Sequence, residues 1–299
     1  MMKLLMTGAT GFVGSNILPI LSQQYEVTTL GRSKENQIIA DLSIETPKLP
    51  DNYDIVLHAA GKVHTYPKTE AEIQEYYDVN YQGTMNLCCA LESTIVPQTI
   101  IYLSSAAVYG LDRGEGINED HPLDAKTPYA RSKKMAEEYL QGWCSKHHVR
   151  LSILRPSLIA GPNPSGNLGS MIKGIASGYY FSIAGGKARK SVLMVQDIAF
   201  LISLLEKQEG IYNICSDDQP SFRDLESIIC KGLNKKMPSN IPMWSAFLLA
   251  KIGDVFGKKF PFNSKRLTKM TESLTFSNDK VKKELGWVPL SIIDHFVIA

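Results

Sequence analysis

Five cysteines in 299 residues, at positions 88, 89, 144, 215 and 230, form an odd and scattered set. None belongs to a Cys-x-x-Cys pair, so a zinc ribbon or a dithiol redox centre is excluded, and no metal site is expected. They read as small apolar thiols in a reducing cytoplasm. Charge of one sign is also lacking. Lys+Arg 32 against Asp+Glu 30 leaves a formal +2, which offers no basic field for nucleic acid. No apolar run reaches the length of about 18 residues that a membrane span needs. The nearest, Ile241 to Ile252, is broken by Pro242 and Lys251. It is expected to be a buried helix, with attachment to a membrane surface as the alternative. A single lysine precedes the first glycine turn, unlike a secretory signal. No integral membrane segment is expected.

What is present begins at Gly8-Ala9-Thr10-Gly11-Phe12-Val13-Gly14. The apolar run Leu4-Leu5-Met6 leads in, and a helical pattern from Val13 to Leu21 leads out. Strand, glycine turn and helix are the context in which such a motif means dinucleotide binding. Gly8 permits the tight turn, and Gly11 lets backbone N–H groups approach a pyrophosphate on the positive end of the helix. Gly14 lets the helix lie close to the strand. Pro19 inside the helical pattern is a misfit that predicts a kink.

Strand-like runs recur at Lys3–Met6, Val27–Leu30, Ile38–Ala40, Ile55–His58, Thr99–Leu103 and Leu151–Leu154. Helical patterns lie between them, among them Gln74–Glu92 and Tyr129–His147. This alternation predicts an α/β fold with a doubly wound parallel sheet. From Pro156 the pattern changes to a Pro/Gly loop and shorter helices at Leu168–Gly178, Asp197–Lys207, Arg223–Leu233 and Trp244–Val255. The expected division is a dinucleotide-binding domain over 1–155. Residues 156–299 are then mainly a smaller substrate-binding lobe, with segments that return to the sheet.

Tyr129-Ala130-Arg131-Ser132-Lys133 puts Tyr129 and Lys133 on one helix face. A Tyr-x-x-x-Lys alone is weak evidence, and taken singly Tyr129 reads as a surface tyrosine and Ser105 as a turn serine. The order along the chain unites them: a glycine turn, then a strand ending in Leu103-Ser104-Ser105, then the Tyr/Lys helix. In this order, and in its Gly-x-x-Gly-x-x-Gly spacing, the chain resembles the extended short-chain dehydrogenase/reductase superfamily. Within it the likeness is to the NAD(P)-dependent nucleotide-sugar epimerase/dehydratase family. The resemblance implies a Rossmann-type sheet with a smaller C-terminal substrate-binding lobe. It also implies Tyr129 as acid–base, Ser105 at the substrate oxygen, and Lys133 on the nicotinamide ribose. A phenol of pKa ~10 is a poor base at neutral pH. Lys133 and a nicotinamide cation are expected to draw it down.

The likeness covers nearly the whole chain. His58-Ala59-Ala60-Gly61 resembles the small-residue turn beside the cofactor, which adds Ala59, Ala60 and Gly61 to Gly8, Thr10, Gly11, Phe12 and Val13 as cofactor contacts. Asp41-Leu42 resembles the adenine pair, and Leu154-Arg155-Pro156 the turn beside the nicotinamide, so Pro156 joins that set. Asp78-Val79-Asn80 resembles the family's Asn-containing helix. Tyr212-Asn213-Ile214 and Glu284 to Pro289 resemble late structural motifs. The second strand ends in Gly31-Arg32-Ser33, without the acid that grips a ribose in NAD enzymes. Arg32 is either a clamp for a 2′-phosphate or a solvent-facing turn residue. The first favours NADP(H) over NAD(H).

Ala106 and Ala107 stand where sugar dehydratases carry an Asp-Glu pair, and no cysteine lies in that loop. Hydride transfer at sugar C4 therefore remains, with reduction of a 4-keto nucleotide sugar favoured and UDP-sugar 4-epimerisation as the alternative. A UDP-hexose or UDP-N-acetylhexosamine is the expected substrate. The stretch Gly161 to Leu168, with Lys190-Ser191, resembles surface-polysaccharide enzymes. By position Asn167 is expected at the diphosphate. Lys190 stands where an Arg is usual, and reads equally as a contact or as a solvated lobe residue. A non-catalytic NADP(H) sensor and a ketone reductase stay open as other classes. Pairing into a homodimer through Gln74–Glu92 and the residues near Gln141 is implied by the family.

Overall fold

The computed structural model describes residues 1–63, 67–164, 166–256 and 262–298. In chain order, β1 (Lys3–Thr7), α1 (Phe12–Leu21), β2 (Glu26–Gly31), β3 (Ile38–Ile39) and β4 (Ile55–His58) come first. There follow α2 (Glu70–Tyr77), α3 (Gly83–Glu92), β5 (Thr99–Leu103), β6 (Gly114–Ile117), α4 (Pro128–His147) and β7 (Arg150–Pro156). The second half contributes β8 (Leu158–Ala160), α5 (Gly166–Ala176), β9 (Ser182–Ile183), β10 (Val192–Met194), α6 (Val195–Leu204) and β11 (Gly210–Ile214). After these come α7 (Phe222–Gly232), β12 (Asn240–Ile241), α8 (Met243–Phe256), α9 (Ser264–Thr271), β13 (Leu274–Phe276), α10 (Asp279–Leu285) and α11 (Ile292–His295).

Seven strands make one parallel sheet in the order β11-β7-β5-β4-β1-β2-β3. Successive residues of a strand face opposite sides. On β1, Leu4 and Met6 pack with Ile17 and Leu21 of α1 and Ile198 and Ile202 of α6. Leu5 packs on the other side with Leu87 of α3 and Ala136 and Leu140 of α4. Helices on both faces bury the strands doubly, which is why they read as unbroken apolar runs. After β7 the chain leaves the sheet, returns through α6 and β11, and leaves again; Leu168, Met171 and Ile175 of the first excursion pack with Leu225 and Ile229 of the second to form a lobe. The order reverses between β1 and β4, so a crevice opens there at the carboxyl ends of the strands.

Three local expectations differ from the structure. The pattern Gln74–Glu92 is not one regular helix: α2 and α3 are joined by a π-helical turn over Asp78–Gln82. Such turns insert one residue and re-aim a side chain, here that of Asn80. α1 runs through Pro19 to Leu21 as one helix, since Pro19 falls in its last turn. The stretch at 241–252 is not a buried helix. In α8 the small residues Ala246, Ala250 and Gly253 face inward, while Trp244 (72% exposed), Leu248 (57%) and Val255 (84%) face out. Only the small seam fits close against Ile183 and Leu267.

Candidate active site

The glycine turn and the β4 turn interlock. Gly8 has φ +75°, and a Cβ there would stand 2.6 Å from the Ala60 nitrogen; one on Gly14 would stand 2.1 Å from the Gly8 oxygen. The Gly11 N–H donates to that same oxygen at 3.1 Å. Gly11 caps α1 without any side-chain hydrogen bond, so the first-turn N–H groups of Phe12, Val13 and Gly14 are left for an anion. A cradle of glycines before an uncapped ten-residue helix fits the diphosphate of a dinucleotide.

Buried polar groups fix the two turns relative to each other. The Ala60 N–H donates to Thr7 Oγ1 at 3.1 Å. Thr7 Oγ1 lies 2.7 Å from His58 Nδ1, and His58 Nε2 lies 2.9 Å from Thr84 Oγ1. Thr84 donates to the Asn80 carbonyl at 2.7 Å, so it accepts from Nε2, and Thr7 donates to Nδ1. His58 is thereby a neutral Nε2–H tautomer. Burial, and next the Lys133 ammonium, push its pKa down to about 3. Asn80 accepts from the Lys62 N–H at 2.7 Å and donates to Ser132 Oγ at 2.9 Å. It ties the loop after β4 to the helix that carries Tyr129. A Cβ on Gly61 would stand 3.1 Å from Asn80 Oδ1 and 3.8 Å from Lys133 Nζ.

Ser105, Tyr129 and Lys133 come together. Ser105 follows β5 and caps a 3₁₀ turn over Ala106–Tyr109, accepting the Ala107 N–H at 3.2 Å. Thr127 caps α4 and Pro128 opens it, both standard helix-start chemistry. The Tyr129 phenol hydrogen-bonds Ser105; burial raises its pKa and the Ser105 bond partly offsets this. Lys133 is buried on the same face. Its ammonium donates to the Leu103 carbonyl at 2.6 Å and lies 4.0 Å from the Tyr102 ring centroid. Burial lowers its pKa to about 7 against the pull of Glu137. Lys133 was expected to draw the phenol down. Here its ammonium turns to Leu103 instead, and burial governs Tyr129.

Sequence reading did not single out the support beneath this group. Arg155 grips Glu137 through two hydrogen bonds, of 3.2 and 2.7 Å, in a fully buried pair. Ser104 donates to the same carboxylate. Arg155 also donates to the Tyr109 hydroxyl at 3.0 Å, and Tyr109 to Asn213 Oδ1 at 2.7 Å. Glu137 lies one turn beyond Lys133, a spacing visible in sequence. Its buried partner on β7 is not.

The remaining candidates lie along the same edge. Arg32, past the end of β2, is 68% exposed at its side chain and stands 3.8 Å from Asp41. Asp41 accepts from the Ser43 hydroxyl at 2.6 Å. Leu42 is buried against Gly83. Ala59 borders the sheet core, and Pro156 ends β7 opposite Ile214. Thr10 is exposed in the glycine turn. Asn167 is exposed in the first turn of α5; Ser165 beside it lies outside the described residues. Lys190 Nζ donates to the Glu272 carbonyl at 2.9 Å, and burial brings its pKa to about 8. Among the described residues no hydrogen bond or ion pair joins Asn167 to Lys190. No group of three or more His, Cys, Asp or Glu able to hold a metal occurs among them either, and no helix there is long and apolar enough to cross a membrane.

Comparison with known proteins agrees with this geometry. Residues 4–215 match the model of the NAD dependent epimerase/dehydratase family. An N-acetyl-α-D-glucosaminyl-diphospho-ditrans,octacis-undecaprenol 4-epimerase of Escherichia coli O157:H7 is 31% identical, over 93% of this chain and 88% of its own. A UDP-glucose 4-epimerase of Vibrio cholerae is 27% identical, over 96% and 90%. The solved structure of RMD from Pseudomonas aeruginosa complexed with NADPH superposes with a TM-score of 0.76 at 22% identity, covering 99% of this chain and 96% of that one, a likeness of fold. The chain belongs to the NAD dependent epimerase/dehydratase family and is an NAD(P)-dependent enzyme of nucleotide-sugar chemistry.

Proposed function

We propose that this protein interconverts the C4 epimers of an N-acetylhexosamine carried on a diphosphate. The observation that carries acid–base chemistry at a sugar hydroxyl is the Ser105–Tyr129 hydrogen bond at the carboxyl end of β5, with Lys133 buried one turn away. A phenol with a raised pKa keeps its proton at neutral pH. That is the form that gives a proton to a ketone oxygen at C4, and the phenolate it leaves behind is the base that takes the proton back from the C4 hydroxyl. Ser105 gives the same oxygen a second hydrogen bond. Proton transfer of this kind contributes about 10²–10⁴-fold. Lys133, its pKa lowered by burial to about 7, is held beneath the pair by its bond to the Leu103 carbonyl.

When bound, a nicotinamide dinucleotide supplies the hydride acceptor and donor for C4. Gly8, Thr10, Gly11, Phe12 and Val13 would hold its diphosphate. Arg32, Asp41 and Leu42 would meet the adenosine end, and Ala59, Ala60, Gly61, Lys133 and Pro156 the nicotinamide end. Asn167 and Lys190 are assigned to the substrate diphosphate.

Epimerisation is favoured because both curated relatives named above are 4-epimerases. Their substrates share a sugar on a diphosphate, whether nucleotide or polyprenyl. Reduction of a 4-keto nucleotide sugar is the second reading, and Arg32 favours it. Its pairing with Asp41 is long and exposed, so little holds the guanidinium back from a 2′-phosphate, and the cofactor we propose is NADP(H) rather than NAD(H). The test incubates the enzyme with UDP- and polyprenyl-diphosphate-linked N-acetylglucosamine and follows product and nicotinamide absorbance together. Epimers forming with no net absorbance change are expected. Stoichiometric loss of NADPH with a 4-keto sugar, and no epimer, would favour the reductase.

A further inference from the structure

Among the described residues the outward stripe of α8 has no partner. Trp244, Leu248, Lys251 and Val255 recur at i, i+4, i+7 and i+11, so they share one face. That face lies opposite the buried Ala246, Ala250 and Gly253. Phe247 flanks it, with the Lys251 ammonium 5.4 Å from its ring centroid. Exposed apolar surface of this extent marks an interaction site.

Charge separates the candidate occupants. α8 and the packed α9 carry Lys251, Lys265, Arg266 and Lys269, against two carboxylates: Asp254, which accepts from Ser264, and the capping Glu272, whose charge acts on Lys190. A second copy meeting this face symmetrically would set cations against cations. An anionic bilayer would attract them, with ~1 kcal/mol for each Lys or Arg near the surface. Large apolar residues with a tryptophan, among cations, match a helix lying in a membrane interface.

The face also borders the candidate site. Glu272, which ends α9, accepts from Lys190 Nζ. Thr268 and Glu272 line a cavity with Gly110 to Arg113, the loop that follows the Ser105 turn. Lys269 is close enough to Lys190 to help lower its pKa. A sugar diphosphate held at Lys190 would therefore sit beside the face that meets the lipid.

We propose that the exposed faces of α8 and α9 dock this protein on an anionic membrane surface, and that its substrate there is a sugar diphosphate anchored to a lipid chain. The substrate half rests on the C4 reading above; the docking half does not.

Sedimentation with vesicles tests it. The full-length protein is mixed with vesicles of phosphatidylcholine alone, or with 30 mol% (roughly) phosphatidylglycerol, near physiological salt. Wild type is expected to pellet with the anionic vesicles. Joint replacement Trp244→Ser, Leu248→Ser and Val255→Ser should lower binding at least about tenfold, and Lys265→Glu should lower it on anionic vesicles alone. Both variants should keep their melting temperature and their turnover of a UDP-linked sugar, while losing turnover of a vesicle-embedded polyprenyl-linked one. Wild type left in the supernatant, or variants that pellet like it, would overturn the docking. A dimer dissolved by the triple replacement, without vesicle binding, would assign the face to a second copy and overturn it as well. Vesicle binding with no turnover of either sugar would support the docking and remove the C4 reading.

Discussion

At the residue scale, Tyr129 sits where burial and the Ser105 hydrogen bond oppose each other. Its phenol is kept protonated by burial, and the Ser105 hydroxyl draws it back. Tyr129→Phe removes the proton carrier and little else. Turnover should fall about 10²–10⁴-fold, while dinucleotide affinity, measured by fluorescence titration, changes less than about twofold. A variant with full turnover would remove Tyr129 from the acid–base role. His58 gives a pH prediction of definite sign. Its folded pKa of about 3 lies below the ordinary 6.5. Between these values the unfolded chain binds more protons, so stability rises with pH there and is lost as pH falls from 6.5. The slope from this residue is at most about 1.4 kcal/mol per pH unit. His58→Asn should flatten the fall in urea-unfolding stability between about pH 6.5 and 4.5; an unchanged slope would contradict the buried neutral imidazole. Ser105, Tyr129 and Lys133 were legible in sequence because motif order announces them. The Glu137–Arg155 pair was not, since it joins a helix to a strand across eighteen residues with no local signature.

At the element scale, the turn between β1 and α1 and the turn after β4 hold each other in place. Gly14→Ala would push a methyl to 2.1 Å from the Gly8 oxygen. That oxygen and the Ala9 Cα and carbonyl carbon, at 2.6 and 2.7 Å, are all backbone, so the helix must move off the strand. A loss of roughly 1–3 kcal/mol in unfolding free energy is expected from overpacking, together with loss of dinucleotide binding by calorimetry. Wild-type binding in this variant would mean that the cradle is not the diphosphate site. Strand and helix positions were readable from apolar runs and caps. What escaped were features with no periodic signal: the π-helical turn that aims Asn80, and the short β6–β13 pairing of Leu274 with Gly114. α8 escaped for a different reason. Its composition is that of a buried helix, and only the placement of two alanines and a glycine on one side decides which face turns inward.

At the scale of the whole molecule, the parallel sheet collects residues from distant parts of the sequence at one edge. Gly8, Arg32, Ala60 and Ser105 each follow the end of a sheet strand and Pro156 ends one, and strand order sets them side by side. The lobe built after β8 adds Lys190 and, through α9, the basic apolar face. The central claim is that one site both oxidises and reduces C4 of the same sugar. The most direct measurement follows a deuterium label placed at C4 of diphosphate-linked N-acetylglucosamine, with the product isolated and its mass and proton spectrum recorded. C4-epimerised product that keeps the deuterium at C4, with no added nicotinamide consumed, is the predicted result. Labelled sugar recovered unchanged, with no epimer, while a 4-keto sugar diphosphate is reduced with one NADPH consumed for each turnover, would contradict the account.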